Sequence, residues 1–324
     1  MLSPIVKDNK ALVLNWFSAL PKQVLLVTHR DPDGDALGSC LAMQEALRHQ
    51  GHQVTIWSHA YRLLPSHAFF PGIDTVCASL PRQNWDTLLL LDCGSLSRVS
   101  NSSLIPSIPM TSIVIDHHEG YTPWAHFSVV EPSVSSVGEL LASLFIEWKW
   151  PITPSMATCL YAAIAFDTGR FLFQNTSANT LRTAAYLSDC GADTAGISLQ
   201  MFQNLSQKNF NTMKDVLNRT VVLSDIGLVY CSLPKQSWDP DFKAVDLIRQ
   251  MEGMDIAAGF IETENGEIKV NLRSKKDFSV LAIATQFNGG GHLRAAGMTV
   301  SGQSLETVID TVVAAIRRSV LSAT

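Results

Sequence analysis

Short apolar runs alternate with amphipathic stretches through the first 190 residues of the chain. Residues 24–28 form an apolar, β-branched run of the kind that makes a buried strand. Residues 36–50 carry Leu37, Leu41, Ala42 and Leu47 on one helical face, and Gly51 follows where a C-cap belongs. Residues 54–57, 88–93 and 112–116 read as further strands, and 139–148 and 156–166 as helices. Strand-like and helix-like segments recurring in this way predict an α/β domain over 1–190: a mostly parallel, doubly wound sheet with helices on both faces. Residues 191–220 are more polar and helix-compatible between Gln200 and Asn218, as suits a connecting segment. Residues 221–231 then resemble a hairpin turning near 225–227, and 257–261 with 267–273 a second one, turning at Glu264-Asn265-Gly266. With an amphipathic helix over 305–318, residues 221–324 read as a smaller α+β domain.

Composition fits this division. A chain of 324 residues exceeds the typical single domain of about 150, and 46% hydrophobic with 16% charged residues is enough to fill real cores. The net charge of −5 argues against a protein that coats duplex nucleic acid, but not against a small anionic substrate held in a local pocket. Six cysteines lie scattered without a CxxC pair, so reduced buried thiols are expected rather than a zinc ribbon or disulfide framework. No run approaches the roughly 18 apolar residues of a membrane span, and residues 1–10 lack a secretory leader, so a cytoplasmic protein is expected.

Three of the predicted strands run into charge. The first leads to His29, Asp31, Asp33 and Asp35, the third to Asp92, and the fourth to Asp116, His117 and His118. In an open parallel sheet this carboxyl edge is where ligands bind. Carboxylates packed so closely repel one another, and a bound divalent cation removes the penalty. The alternative for the first cluster is a solvated acidic turn with Asp35 as a helix N-cap. Asp92 alone could be a ligand or a strand-end cap. The adjacent histidines could serve a metal and a phosphate, with Asp116 fixing a ring tautomer. Asp167 closes a helix-like stretch, where the helix dipole disfavours an acid and a cation would relieve the conflict. Gly289, Gly290 and Gly291, followed by His292 and Arg294, let backbone N–H groups approach an anion, or form a flexible loop. Arg273 could clamp a phosphate or be a surface strand charge.

Taken together these motifs resemble the DHH phosphoesterase superfamily. The signature is Asp116-His117-His118, preceded by His29, Asp33, Asp35 and Asp92 and followed by Asp167, while Gly289-Gly290-Gly291-His292 is similar to the hallmark of the DHH-associated C-terminal domain. Within the superfamily the chain is most similar to the nano-RNase group of oligoribonucleases with pAp phosphatase activity. The resemblance implies two divalent cations, Mn²⁺ ahead of Mg²⁺, with His29, Asp33 and Asp92 at one and Asp35, Asp92, His117 and Asp167 at the other. It further implies an activated water attacking phosphorus in line. His118 would act on the phosphoryl or leaving oxygen, with Asp116 and Asp31 supporting it from behind. Arg273, Gly289–Gly291, His292 and Arg294 would bind the remainder of the substrate in a cleft between the domains. The implied partners are single-stranded RNA of about two to five nucleotides or pAp, not duplexes or membranes, and a homodimer is allowed. Val137 stands where relatives often carry threonine, so Ser135 or Ser136 would have to supply any hydroxyl needed there. Three other readings are a cyclic-di-AMP or pApA phosphodiesterase, a pyrophosphatase and a non-catalytic nucleotide-binding regulator. The pyrophosphatase needs more basic charge than Arg273, Lys275, Lys276 and Arg294 offer, and the regulator is expected to have lost a ligand.

Overall fold

The computed structural model describes residues 4–59, 67–105, 110–235 and 244–322, and divides into two units, Met1–Gln203 and Asn204–Thr324. The first holds six strands: β1 (Gln23–Val27), β2 (Gln53–Trp57), β3 (Val76–Cys77), β4 (Thr87–Leu91), β5 (Thr111–Asp116) and β6 (Phe127–Val130). Their order is β3-β2-β1-β4-β5-β6, with every pair parallel. The order reverses between β1 and β4, the crevice where such sheets hold ligands.

Its helices are α1 (Pro4–Ala19), α2 (Gly34–His49), α3 (Val137–Trp148), α4 (Pro154–Asp167), α5 (Ala178–Asp189) and α6 (Thr194–Phe202). Successive strand residues face opposite ways. Val24, Leu26, Leu89, Leu91, Ile113 and Ile115 pack under α2, α3 and α4. Leu25, Val27, Leu88, Leu90 and Val114 face the other side. Helices were expected on both faces, but among the described residues this second face is covered by Trp85, Leu96, Val99, Ile105 and Tyr121 from the connections. The connections flanking β5 are Ser-, Gly- and Pro-rich, and their described residues form only short turns, so single large side chains do the covering.

The second unit contains α7 (Gln207–Asn218), β7 (Thr220–Leu223), β8 (Leu228–Leu233), α8 (Ala244–Ile248), β9 (Ile256–Glu262), β10 (Ile268–Ser274), α9 (Val280–Thr285), β11 (Gly290–His292), β12 (Ala295–Val300) and α10 (Leu305–Leu321). Its sheet runs β11-β12-β10-β9-β8-β7, antiparallel except for β8 beside β9. Both expected hairpins are present, with Gly227 (φ 62°) and Gly266 (φ 76°) in the left-handed turns. The segment 191–220 is shared out: α6 goes with the first unit and α7 with the second.

Candidate active site at the carboxyl ends of the parallel strands

The chain leaves β1 through His29 and enters α2 at Asp33, whose Oδ1 accepts from the amides of Asp35 (3.1 Å) and Ala36 (3.2 Å). Asp33 is therefore the N-cap, the place that the alternative of a solvated acidic turn gave to Asp35. Asp35 lies inside the first turn and is fully buried. Its carboxylate accepts from Val137 N (2.8 Å), Gly138 N (2.9 Å) and Ser39 Oγ (3.1 Å). The amino end of α3 thus aims its free amides and dipole at a buried anion. The hydroxyl absent at Val137 is not needed for this: the backbone amide does the holding, and the Val137 side chain lies in the core. Ser136 is occupied as the α3 N-cap and Ser135 donates to Glu139 (2.6 Å), so neither replaces that hydroxyl.

Asp92 follows β4 in the left-handed backbone region (φ 54°), a conformation Asp tolerates better than most residues. Its Oδ2 is 3.3 Å from His29 Nε2, and its Oδ1 is 3.6 Å from His117 Nε2 and 3.4 Å from His118 Nδ1. Asp116 closes β5, and its Oδ1 accepts from His117 N (2.8 Å), His118 N (3.3 Å) and His118 Nδ1 (2.7 Å). Asp167, the last residue of α4, has Oδ2 at 3.2 Å from His117 Nε2, and Asp35 Oδ2 is 3.8 Å from the same nitrogen. Three overlapping triplets result: His29–Asp33–Asp92, Asp35–His117–Asp167, and Asp92–His117–His118.

The electrostatics follow from so many acids under cover. Burial, then the charges of Asp92 and Asp167, pushes Asp35 well above the usual carboxylate range. Burial, then Asp33 and Asp167, does the same to Asp92. Burial pulls His117 down, but Asp167, Asp35 and Asp92 outweigh it and push it up to about 10. Burial lowers His29, helped by the Arg98 charge and opposed by Asp33 and Asp31. Burial acts to raise Asp116, but its hydrogen bonds from His118 and His117 hold it below the ordinary value. The donor set of imidazoles and carboxylates suits a hard or borderline divalent cation. Asp92 Oδ1, buried without a hydrogen-bond donor, is the kind of orphan that a cation satisfies. Metal ligation fits these residues.

Among the remaining candidates of the first unit, Asp31 belongs to none of the three triplets. Asp31 is exposed in a depression of about 310 Å³ shared with His29, Arg30 and Arg98. In the second unit, Gly290–His292 form the edge strand β11 rather than an open loop. A Cβ at Gly289 would lie 2.4 Å from Gly297 O, and one at Gly291 2.5 Å from Ala295 O. Those glycines are required by close approach to β12, while Gly290 has open space. Arg273 and His292 both pair in register with Ala295, from opposite sides, and so share one sheet face. Arg273 Nε is 3.3 Å from Asp246 Oδ1, and Arg294 donates to the exposed Asp277 (2.8 Å). Sequence reasoning missed Arg98 and Asn175. The first is a lone arginine in a serine-rich connection. The second donates to both Ser135 O and Asp167 O (3.1 Å each), a side-chain bridge that has no periodicity to betray it.

Residues 23–164 match the DHH family N-terminal domain and residues 225–318 the DHHA1 domain. The bifunctional oligoribonuclease and PAP phosphatase NrnA of Thermus thermophilus is 32% identical, over 98% of this chain and 96% of its own. The chain belongs to the DHH family. The NrnA of Bacillus subtilis is 27% identical to this DHH chain over 86% of it and 89% of its own length. An exopolyphosphatase-related protein from Bacteroides fragilis shares the fold, with a TM-score of 0.88 at 23% identity, over 99% of this chain and 98% of that one. No helix among the described residues is long and apolar enough to cross a membrane.

Proposed function

We propose that the chain hydrolyses short oligoribonucleotides to mononucleotides and removes the 3′-phosphate of pAp to leave AMP. The observation that carries this reading is Asp92, whose carboxylate joins two of the three donor triplets and keeps one oxygen without a donor. The names of the relatives from Thermus thermophilus and Bacillus subtilis support the substrate classes. All six residues of the implied ligand set are present, which opposes a regulator that has lost catalysis.

Two divalent cations, Mn²⁺ by preference, would supply Lewis acidity and an activated water when bound. His29, Asp33 and Asp92 would hold one, and Asp35, Asp92, His117 and Asp167 the other. Asp116 fixes the His118 ring through Nδ1, so a protonated ring presents its Nε2–H to an oxygen of the phosphate or leaving group. Asp31 acts through charge on His29 rather than by contact with substrate. In the second unit, His292 and Arg273 on their common sheet face, the amides of Gly289–Gly291, and Arg294 bind the nucleotide's other phosphate. The exposed Arg294–Asp277 pair is weak enough for a phosphate to displace. We place the enzyme in the cytoplasm, in keeping with its six free cysteines.

The test is the Mn²⁺-loaded full chain on pAp, on RNA of about two to five nucleotides, and on cyclic-di-AMP. Release of mononucleotides and of AMP is expected. Turnover of cyclic-di-AMP in preference to both would replace this reading with the phosphodiesterase one, and inactivity on all three would overturn it.

A further inference from the structure

A second depression, of about 590 Å³, lies beside the cation-binding cluster and within the first unit. Its walls are the connection after β4, with Ser95 and Arg98, and the connection after β5, with His118, Tyr121, Thr122 and Trp124. Its volume falls in the range of pockets that hold drug-sized ligands. Four observations bear on what it takes. The Trp124 indole N–H donates to Gly94 O (2.8 Å), which ties the two walls together and fixes a ring that is still 38% exposed. Tyr121 Oη is buried without a hydrogen-bond partner. The Arg98 guanidinium makes no hydrogen bond or ion pair among the described residues, and it also lines the depression around His29. Gly94 keeps this corner open: a Cβ there would lie 2.9 Å from Asp116 Oδ2 and 3.1 Å from the Tyr121 ring.

A fixed aromatic face and an uncommitted cation, next to the histidine proposed to face the phosphate, are the parts of a nucleoside site. Aromatic faces stack on any base, and arginine adds attraction to phosphate. We infer that this depression is a subsite for a second nucleoside, the one joined to the attacked phosphate through its 5′-oxygen and absent from pAp, with Trp124 as its stacking platform. The inference rests on the activity proposed above and extends it. A dinucleotide has two nucleosides and pAp has one, so the two substrates must use this pocket unequally. The pocket adds to the binding of RNA a contact that pAp cannot use.

The experiment compares kcat/KM for an RNA dinucleotide and for pAp in the Mn²⁺-loaded full chain, as wild type, Trp124→Ala and Trp124→Phe. Base stacking on an aromatic side chain leads us to expect Trp124→Ala to lower the dinucleotide-to-pAp ratio about tenfold, mainly through KM, with Trp124→Phe restoring most of it. Equilibrium binding of the dinucleotide in EDTA should weaken in Trp124→Ala by a similar factor. Equal losses on both substrates, or an unchanged ratio and unchanged binding, would overturn the subsite. A wild-type chain that turns over neither substrate overturns the proposed activity instead, and the EDTA binding comparison still reads the pocket.

Discussion

Replacing Asp92 with Asn should make the metal-free protein more stable and the metal-loaded protein less so. Asp92 is buried, surrounded by Asp33 and Asp167, and leaves Oδ1 without a donor. A buried polar atom without a partner costs about 1–3 kcal/mol, and more when charged. Asn has the same shape, is neutral, accepts the left-handed backbone of this position, and can donate to the neighbouring acids. A gain of about 1–3 kcal/mol in a unit of this size raises the melting temperature by roughly 2–12 °C. Bound cation reverses the order, because a ligand at about a thousand times its Kd adds about 4.1 kcal/mol to the wild type, and the variant lacks a proposed ligand. The sign with pH is fixed. The folded pKa of Asp92 is raised, so ionising it destabilises the metal-free wild type as pH climbs above the unfolded carboxyl value of 3.8. The advantage of Asp92→Asn should therefore vanish in acid and grow as pH rises. Thermal melts of both proteins in EDTA and in excess Mn²⁺, across pH, measure all of this. If Asp92→Asn melts below the wild type in EDTA near neutrality, the strained acidic cluster is not the source of the metal requirement.

Cation binding should release protons, because His117, pushed up to about 10, and the raised carboxyls of Asp35 and Asp92 must give them up. Mn²⁺ affinity then rises with pH, and calorimetry in buffers of different ionisation enthalpy detects the protons; buffer-independent heats would contradict this. In EDTA, the stability that protonated His117 contributes is fully present below about 6.5 and is lost as pH passes about 10. Gly138→Ala places a methyl 2.5 Å from Ala163 Cβ, so α3 must shift away from α4 and draw its amides off Asp35. A loss of about 1–3 kcal/mol with weaker Mn²⁺ binding is expected, and native affinity in a destabilised variant would disconnect α3 from the site. Asp116→Asn should lower kcat by about 10²–10⁴ while single-site Mn²⁺ titrations stay close to wild type, since Asp116 grips His118 rather than an ion; a parallel loss of affinity would make it a ligand instead.

The parallel sheet and its ligand edge were legible because buried parallel strands are short apolar runs, and the acids sit immediately after them. Boundaries moved by a residue or two, as with α4 at Pro154–Asp167 against an expected 156–166. What escaped is of two kinds. Short elements such as α8 and β11 carry too few residues for a period, and three glycines in a row look like a loop until β12 is known to lie against them. Contacts set by tertiary placement also escaped. Nothing local shows that the amides of residues 137 and 138 hold Asp35, over a hundred positions away, or that Asp33 rather than Asp35 caps α2. The phosphate role of Arg273 was argued from its strand end alone, where its neighbour Asp246 could not be foreseen.

The spread of the proposed ligands along the chain sets the order in which they are made on the ribosome. They run from His29 to Asp167, on segments that follow β1, β4 and β5 and at the end of α4. A nascent chain halted before α4 emerges exposes acids and imidazoles with no closed ring of donors. Once residue 167 has been added, the chain carries every one of them, before Asn204 and the rest of the second unit are made. The first unit therefore needs nothing from the part of the protein that carries Arg273 and His292 to complete its proposed set of donors.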